Sequence, residues 1–313
     1  MNNILITGAF GQIGSELVPA LQQQFGKDNV IAGYNNTLPD DFDGIAVKCD
    51  ATDKEQMRAI IEEHKIDTIY HLVSILSAKG EVDPVFTWNT NMDSLRHVLD
   101  LAVEYKLRIF WPSSIAAFGP TTPRVDTPQH TVLEPSTMYG VTKVAGELLC
   151  QYYFNKFGVD VRSVRYPGII SWKTPPGGGT TDFAVAIFYD GLQTGKYDCF
   201  VKPETKLPMM YMDDAVKATI DLMNAPAEAL TVRTSYNLAA ISFTAQELAE
   251  EINKQLPVEV TYNPDHRQAI ADSWQQTIDD GAARKDWGWN HAFDLTKMTE
   301  VMILELKKKF GIQ

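Results

Sequence analysis

The chain is poor in cysteine, in long apolar runs and in positive charge, and each deficit excludes a class of protein. Its 313 residues include only Cys49, Cys150 and Cys199, without a C-x-x-C pair, which disfavours a disulfide-stabilised secreted domain. No run of about 18 apolar residues is present, so we expect no membrane span. With 28 lysines and arginines against 40 acidic residues, the net charge of −12 disfavours binding to the phosphate backbone of nucleic acid.

Two further absences bear on chemistry and location. The six histidines are scattered without an H-x-x-x-H pair, so the sequence predicts no metal site. Met1-Asn2-Asn3 runs directly into a predicted strand at Ile4, which leaves no room for a signal or transit segment. Together with the cysteines, which we expect to be reduced and packed, this favours a cytoplasmic location of the bacterial type.

What the chain does contain is a regular alternation of short apolar runs and longer amphipathic segments. In the longer segments apolar residues recur at i, i+3, i+4 and i+7, which is typical of helices packed on a sheet. The predicted strands are Ile4–Thr7, Val30–Ala32, Ile45–Cys49, Thr68–Leu72, Arg108–Trp111 and Val161–Arg165, and the predicted helices are Gly11–Gln24, Asp53–Glu63, Asp83–Tyr105 and Thr137–Phe157. This alternation predicts an α/β fold with a doubly wound parallel sheet of the Rossmann type.

The pattern changes after Arg165, and the change predicts a second domain. A loop rich in proline and glycine at residues 173–181 is a break signal. A further strand at Ser235–Leu238 then indicates that the chain returns to the sheet. We predict a nucleotide-binding domain of residues 1–170 with a return segment at about 213–240. Residues from about 171 to 212 and from 241 to 313 then form a smaller substrate-binding cap.

A glycine-rich segment follows the first predicted strand. Gly8, Gly11 and Gly14 stand in the spacing G-x-x-G-x-x-G at a strand-to-helix junction. There the first glycine permits a tight turn, the second lets the backbone approach a pyrophosphate, and the third lets the helix pack on the strand. The backbone N–H groups and the helix N-terminus can hold the pyrophosphate without formal positive charge. The segment, with Gln12 and Ile13, therefore predicts a dinucleotide site; an ordinary strand-to-helix turn is the alternative.

The predicted adenosine end lacks the acidic residue that usually holds the ribose hydroxyls. The second strand ends in Tyr34 and Asn35, and Asn35 is our candidate for that contact. No Arg or Lys is nearby in the sequence to bind a 2′-phosphate, which favours NAD over NADP. Asp50 is a candidate for the adenine amino group, with a helix N-cap as its alternative role. The predicted cofactor contacts are completed by Ala51, Leu72 and Tyr166.

Tyr139 and Lys143 carry the chemistry that the sequence predicts. They are four residues apart in a predicted helix, so they share one face. A free phenol has a pKa of about 10, and a nearby cation lowers that pKa and favours the phenolate. Lys143 can be that cation. A phenolate base beside a nicotinamide predicts oxidation of an alcohol, or the reverse reaction.

The combined set resembles the extended short-chain dehydrogenase/reductase family, in which Tyr-x-x-x-Lys, a preceding Ser or Thr and G-x-x-G-x-x-G occur together. Within that family the chain is similar along its length to the short-chain-type L-threonine 3-dehydrogenases. The segments that carry the similarity are 74–81 (Ser-Ile-Leu-Ser-Ala-Lys-Gly-Glu), 166–171 (Tyr-Pro-Gly-Ile-Ile-Ser), 179–182 (Gly-Thr-Thr-Asp) and 207–212 (Leu-Pro-Met-Met-Tyr-Met). The resemblance implies oxidation of L-threonine with NAD to 2-amino-3-oxobutyrate. It also implies a homodimer, formed by a four-helix bundle of the helices near Asn89–Tyr105 and Thr137–Phe157.

The resemblance further assigns roles to single residues. Tyr139 matches the catalytic base, Lys143 the residue that holds the nicotinamide ribose, and Ser114 the catalytic Ser or Thr, whereas we reject the neighbouring Ser113. We expect the substrate hydroxyl to lie between Ser114 and Tyr139. Trp274 matches a tryptophan that covers the substrate, although a packed cap tryptophan is the alternative.

The loop of residues 177–181, Gly-Gly-Gly-Thr-Thr, is a candidate for binding the substrate carboxylate. It precedes a predicted helix near Asp182, so it offers free N–H groups and two hydroxyls at a positive helix end, with a plain hinge as the alternative. Lys79 is a second cationic candidate, and a solvated loop charge is its alternative role. The predicted substrate contacts are Ser77, Ser114, Tyr139, Gly179, Thr180, Thr181 and Trp274.

Two other classes of function use the same residues. A sugar-nucleotide epimerase or dehydratase of the same superfamily would keep NAD and the set Tyr139, Lys143 and Ser114, but it must bury a diphosphate-linked sugar. A redox-sensing NAD-binding protein without catalysis is the other alternative. The small Gly-Gly-Gly-Thr-Thr loop favours a small substrate such as L-threonine.

Overall fold

The computed structural model describes residues 1–312, with the side chains of residues 78 and 79 excluded, so the candidate Lys79 lies outside the described side chains. The strands are β1 (Ile4–Thr7), β2 (Val30–Tyr34), β3 (Ile45–Lys48), β4 (Thr68–His71), β5 (Arg108–Ser114), β6 (Val161–Tyr166), β7 (Gly168–Ile170), β8 (Lys196–Cys199), β9 (Lys206–Tyr211), β10 (Tyr236–Asn237), β11 (Ile241–Thr244) and β12 (Glu259–Tyr262). The helices are α1 (Gly14–Phe25), α2 (Lys54–His64), α3 (Ser77–Gly80), α4 (Pro84–Tyr105), α5 (Met138–Phe157), α6 (Phe183–Thr194), α7 (Met212–Asn224), α8 (Ala245–Asn253), α9 (Arg267–Ser273), α10 (Gly281–Trp287) and α11 (Leu295–Phe310).

The predicted doubly wound sheet is confirmed. Seven strands form one sheet in the order β10-β6-β5-β4-β1-β2-β3, and every pair in it is parallel. Because the strands are parallel, their carboxyl ends share one edge: Thr7 pairs with His71, and Ser114 pairs with Tyr166. The strand order reverses between β1 and β4, and in such sheets the crevice beyond that reversal is where ligands bind.

Both faces of the sheet are covered, as a parallel sheet requires. Successive residues of a strand point to opposite faces. Ile4 and Ile6 accordingly pack with α1 and α7 on one face, and Leu5 packs with α2, α4 and α5 on the other. Side chains cap several of these helices: Asp53 accepts hydrogen bonds at the start of α2, and Thr137 does so at the start of α5.

Helix α1 begins later than the sequence predicts. It starts at Gly14 and not at Gly11, because the preceding residues form a turn: Gly8 has a φ of 70°, and the Gly11 N–H donates to the Gly8 carbonyl at 3.1 Å. Strand β5 is also longer than predicted and reaches Ser114.

A second core lies around the smaller sheets. Strands β11, β9 and β7 form a three-stranded sheet, β12 and β8 form a two-stranded one, and α6, α8 and α11 pack in the same hydrophobic cluster. Trp289, which the sequence assigns to the cap, packs instead in the cluster of α1 and α7. The division into two domains at the predicted residues stays a prediction. None of the helices within residues 1–312 has the length and apolar character that crossing a bilayer requires.

Candidate active site

The turn between β1 and α1 is shaped for a close ligand. A Cβ on Gly14 would lie 2.5 Å from the carbonyl oxygens of Gly8 and Ala9, and a Cβ on Gly8 would lie 3.3 Å from the Val73 nitrogen. No described side chain caps the N-terminus of α1, and the Ser74 hydroxyl, just beyond β4, is buried without a partner among the described residues. These features fit the pyrophosphate of a dinucleotide, which backbone N–H groups at a helix N-terminus can hold.

Gly14→Ala should weaken NAD binding by about tenfold or more, which corresponds to roughly 1.4 kcal/mol. The added methyl group overlaps the backbone oxygens of Gly8 and Ala9, so the turn must move away from its pyrophosphate-binding shape. Titration of NAD by calorimetry measures the effect. Gly281→Ala is the matched control, because a Cβ there meets only the side chain of Asp279 at 3.0 Å or more. Equal NAD affinity of the two variants would contradict the assignment of this turn.

At the predicted adenosine end the structure changes two sequence-based interpretations. Asp50 accepts hydrogen bonds from the backbone N–H and hydroxyl of Thr52 at 2.9 and 2.7 Å, and it is Asp53 that caps α2, so the N-cap alternative for Asp50 is wrong. The β2–β3 register also pairs Lys48 with Tyr34, so a lysine that the argument against a 2′-phosphate did not consider lies on the neighbouring strand. The two residues are distant in sequence but adjacent across the sheet.

The other predicted cofactor residues are spread around the same edge. Asn35 is exposed beyond β2, Ala51 is buried, and Leu72 is partly buried beneath Gly8. Tyr166 lies at the end of β6, but its hydroxyl bonds to Thr219 and to the Ala215 carbonyl, so its phenol is occupied within the sheet domain. The role of each of these residues in cofactor binding stays a prediction.

The end of β5 and the first turns of α5 bring the predicted catalytic residues together. Ser114 and the partly buried Tyr139 are joined by a hydrogen bond between their hydroxyls. Lys143, only 3% exposed, donates to the Pro112 carbonyl at 2.7 Å, and its Nζ lies 5.2 Å from the centre of the Tyr139 ring. Ser113 instead donates to Glu147 at 2.6 Å, because successive strand residues point to opposite faces.

The pKa values of Tyr139 and Lys143 differ from those that the sequence predicts. Burial raises the pKa of Tyr139 to about 12, and the hydrogen bond with Ser114 opposes that rise. Burial also lowers the pKa of Lys143 to about 7, against the opposing charge of Glu147 and a smaller effect of Cys150. The expected lowering of the tyrosine pKa by Lys143 is therefore wrong for the chain on its own, because burial dominates and the Lys143 Nζ donates to the Pro112 carbonyl.

His71, at the end of β4, is a fully buried core residue. Its ring nitrogens lie 2.8 Å from the Thr7 hydroxyl and 3.2 Å from the Ser94 hydroxyl. Burial, with a smaller contribution from Lys143, lowers the pKa of His71 to about 3, so its ring is neutral at physiological pH.

The candidate substrate loop directly precedes α6, and two of its backbone N–H groups are not free. Asp182 accepts hydrogen bonds from the N–H groups of Gly177 and Gly179 at 2.7 and 2.8 Å, which corrects the expectation of free amides there. A carboxylate at a helix start captures such groups first. The hydroxyls of Thr180 and Thr181 make no hydrogen bond among the described residues, and they remain the candidates for a substrate anion.

Trp274 and Ser77 are predicted substrate contacts with different surroundings in the structure. Trp274 belongs to the same hydrophobic cluster that Tyr139 packs against. Ser77 begins α3, which contacts α5. Glu81, just after α3, accepts the Met138 N–H at 2.7 Å and so fixes this loop to the start of α5. Sequence reasoning did not identify Glu81, Asp182 and Glu147 as hydrogen-bond partners around the site. For Glu147 one signal was available, because an acid four residues after Lys143 lies on the same helix face.

Comparison with known proteins places this site in a family. The sequence profile of the NAD-dependent epimerase/dehydratase family matches residues 4–239. The chain is 47% identical to the mitochondrial L-threonine 3-dehydrogenase of Bos taurus, over 96% of this chain and 81% of that protein.

Two solved structures are similar over nearly the whole chain. The GalE-like L-threonine dehydrogenase of Cupriavidus necator in its holo form is 51% identical with a TM-score of 0.96, covering 97% of this chain and 100% of that one. A monomeric L-threonine 3-dehydrogenase from a metagenome, in its apo form, is 50% identical with a TM-score of 0.95, covering 98% and 99%.

Proposed function

The chain belongs to the NAD-dependent epimerase/dehydratase family, and from that premise we propose that it oxidises the 3-hydroxyl of L-threonine with NAD to give 2-amino-3-oxobutyrate. The single observation that carries the proposal is full-length similarity, at about half of all positions, to enzymes named for this reaction. The hydrogen-bonded pair Ser114–Tyr139 at the edge of the sheet, beyond the dinucleotide turn, supports it.

The chemistry that the chain's own residues perform is a proton transfer. Ser114 orients the substrate hydroxyl against Tyr139, and Tyr139 Oη accepts its proton. Lys143, whose Nζ lies 5.2 Å from the centre of the tyrosine ring, holds the nicotinamide ribose beside it. NAD, when bound, supplies the hydride acceptor and the positive charge of its nicotinamide ring. Trp274 and the cap cluster exclude water from the pair.

One assay tests the proposed oxidation of L-threonine and the alternative sugar-nucleotide reaction together. Purified protein is mixed with NAD and L-threonine, and the absorbance of reduced cofactor is followed. A parallel reaction with UDP-galactose tests the sugar-nucleotide epimerase or dehydratase alternative by analysis of its products. Reduction of NAD with L-threonine alone supports the proposal. Conversion of UDP-galactose without oxidation of L-threonine would replace the proposed function, and no turnover of either substrate would favour the NAD-binding sensor.

The rate should rise with pH between about 7 and 10. Burial raises the pKa of Tyr139 to about 12, above its ordinary value, so the base is mostly protonated at neutral pH and each unit of pH increases the phenolate. Initial rates at saturating NAD across this range, with stability at each pH verified by circular dichroism, check the expectation. A profile that falls steadily from pH 7 would contradict tyrosine as the base.

The exposed apolar side chains of α4 and α5 support a further proposal, that the chain forms a homodimer. Large apolar side chains remain exposed there, and they are Val85, Phe86, Trp88, Val141, Leu148, Tyr152 and Phe157. Exposed apolar patches of this kind usually mark interfaces. One similar enzyme is named as monomeric, so the state must be measured for this chain. Sedimentation should give a dimer that Leu148→Glu dissociates; a monomeric wild type would refute it.

The proposed location is cytoplasmic. The three cysteines are free and buried, which suits a reducing compartment. The Bos taurus relative is mitochondrial, so location varies among similar enzymes. Fractionation of the native cells with an antibody against the chain tests the proposal.

A further inference from the structure

Three consecutive residues of β5 contact three successive turns of α5. The carbonyl of Pro112 accepts from Lys143, Ser113 donates to Glu147 at 2.6 Å, and Ser114 bonds to Tyr139. Tyr139, Lys143 and Glu147 are spaced by four residues, so they lie along one face of the helix. The predicted catalytic pair therefore has a third, acidic neighbour on the same face.

Glu147 is a buried carboxylate that several hydrogen bonds hold in place. It is 1% exposed, and Arg165 of β6 donates to its two oxygens at 2.9 and 2.7 Å. Arg165 also donates to Asn237 of β10 at 2.9 Å, and Asn237 in turn donates to the carbonyls of Thr127 and Asp279. One buried network thus links the catalytic helix to β5, β6, β10 and two outer segments.

We infer that Glu147 is a positioning residue, which keeps the Tyr139–Lys143 face of α5 in register with the end of β5 and supplies the counter-charge for Lys143. The inference rests on the proposed function only for its kinetic part. A bidentate pair with Arg165 fixes both the position and the direction of the carboxylate. The hydrogen bond to Ser113 ties that carboxylate to the strand that presents Ser114.

The charge balance at Lys143 agrees with this role. The titratable groups that face it are Tyr139, Glu147 and Cys150 on its own helix and His71 on β4. His71 is neutral at physiological pH, and burial raises the pKa of Cys150, so that thiol is neutral as well. Glu147 is therefore the anion among them that opposes the loss of the lysine's charge.

The test measures Lys143 directly and does not depend on turnover. Lysine labelled with carbon-13 at Cε is incorporated, and the Lys143 resonance is identified by its loss in Lys143→Arg. In Glu147→Gln its titration should move to lower pH by about one unit, a tenfold loss of the charged form. Glu251→Gln, which neutralises a carboxylate of α8 that is also largely buried, is the matched control and should leave the titration unchanged.

Kinetics separate positioning from a merely structural role. In Glu147→Gln, kcat for L-threonine should fall about tenfold near neutral pH with little change in KM. In a Lys143→Met background the same substitution should have no further effect, because the two residues act through one interaction. Should Glu147→Gln not fold, Glu147→Asp, which keeps the charge but shortens the side chain by one methylene and so moves the carboxylate, should shift the titration in the same direction by a smaller amount.

Two results would overturn the positioning role of Glu147. An unchanged Lys143 titration in a folded variant, or an equal loss of kcat in the Lys143→Met background, overturns the positioning role. If the wild type does not oxidise L-threonine at all, the proposed function fails, and the titration still decides the role of Glu147.

Discussion

Tyr139→Phe should lower kcat for L-threonine oxidation by roughly 10²–10⁴-fold, the usual contribution of a positioned general base. The substitution removes only the hydroxyl that bonds to Ser114, and the ring can keep its contacts with the cap cluster and with Lys143. Because the lost interaction acts in the transition state, kcat and kcat/KM should fall together, and NAD affinity should change little. Stopped-flow or steady-state formation of reduced cofactor measures the loss.

A matched control comes from the same helix. Tyr152 is exposed on α5, away from the predicted catalytic pair, and Tyr152→Phe removes an equivalent hydroxyl. Its kcat should equal that of the wild type. If Tyr139→Phe retained more than about a tenth of wild-type kcat, less loss than general-base catalysis predicts, the assigned proton acceptor would be wrong.

Arg165→Met should lower the free energy of unfolding by about 3–5 kcal/mol, the cost of leaving a buried charge without its partner. Glu147 and Arg165 are both almost fully buried, and the arginine also bonds to Asn237 and to the Gln129 carbonyl. Methionine fills part of the space but offers no donor, so the carboxylate loses both arginine hydrogen bonds and keeps the one from Ser113. Equilibrium unfolding in urea, analysed with a constant m-value, measures the change.

Two comparisons make this stability prediction specific. Arg96→Met removes an exposed arginine of α4 that pairs with Asp93, and it should cause little change. The double variant Glu147→Leu with Arg165→Met removes both charges and should recover much of the lost stability, since an apolar pair can replace a buried ion pair. A double variant that is less stable than Arg165→Met would show that the loss does not come from the unpaired carboxylate.

Several features could be predicted because they depend on neighbours in sequence. The glycine spacing at residues 8–14 and the four-residue interval between Tyr139 and Lys143 are local patterns, and the alternation of strands and helices follows from hydrophobic periodicity. The order of the strands from β3 to β6 follows from the general rules for βαβ units. The return strand is predicted at Ser235–Leu238, and the structure has a two-residue strand, Tyr236–Asn237, within that range.

Other features depend on contacts that the sequence pattern does not identify, and sequence reasoning erred there. Lys48 lies beside Tyr34 because β3 pairs with β2, and this pairing removes an argument about cofactor choice. Asp182 folds back on Gly177 and Gly179, so amides that the composition offered to a ligand are already bonded. In both cases the sequence shows the residue but does not identify the residue that it contacts.

The sequence by itself determined that Tyr139 and Lys143, the predicted catalytic pair, share one face of α5, because helical spacing is set within a few residues. Only the tertiary structure decided the charge state of those residues. The pKa of Tyr139 rises and that of Lys143 falls because packing removes water from both, and Glu147 moderates the second effect only because Arg165, 18 residues further along, holds it in place. Desolvation and pairing depend on the complete set of neighbours, and folding brings that set together.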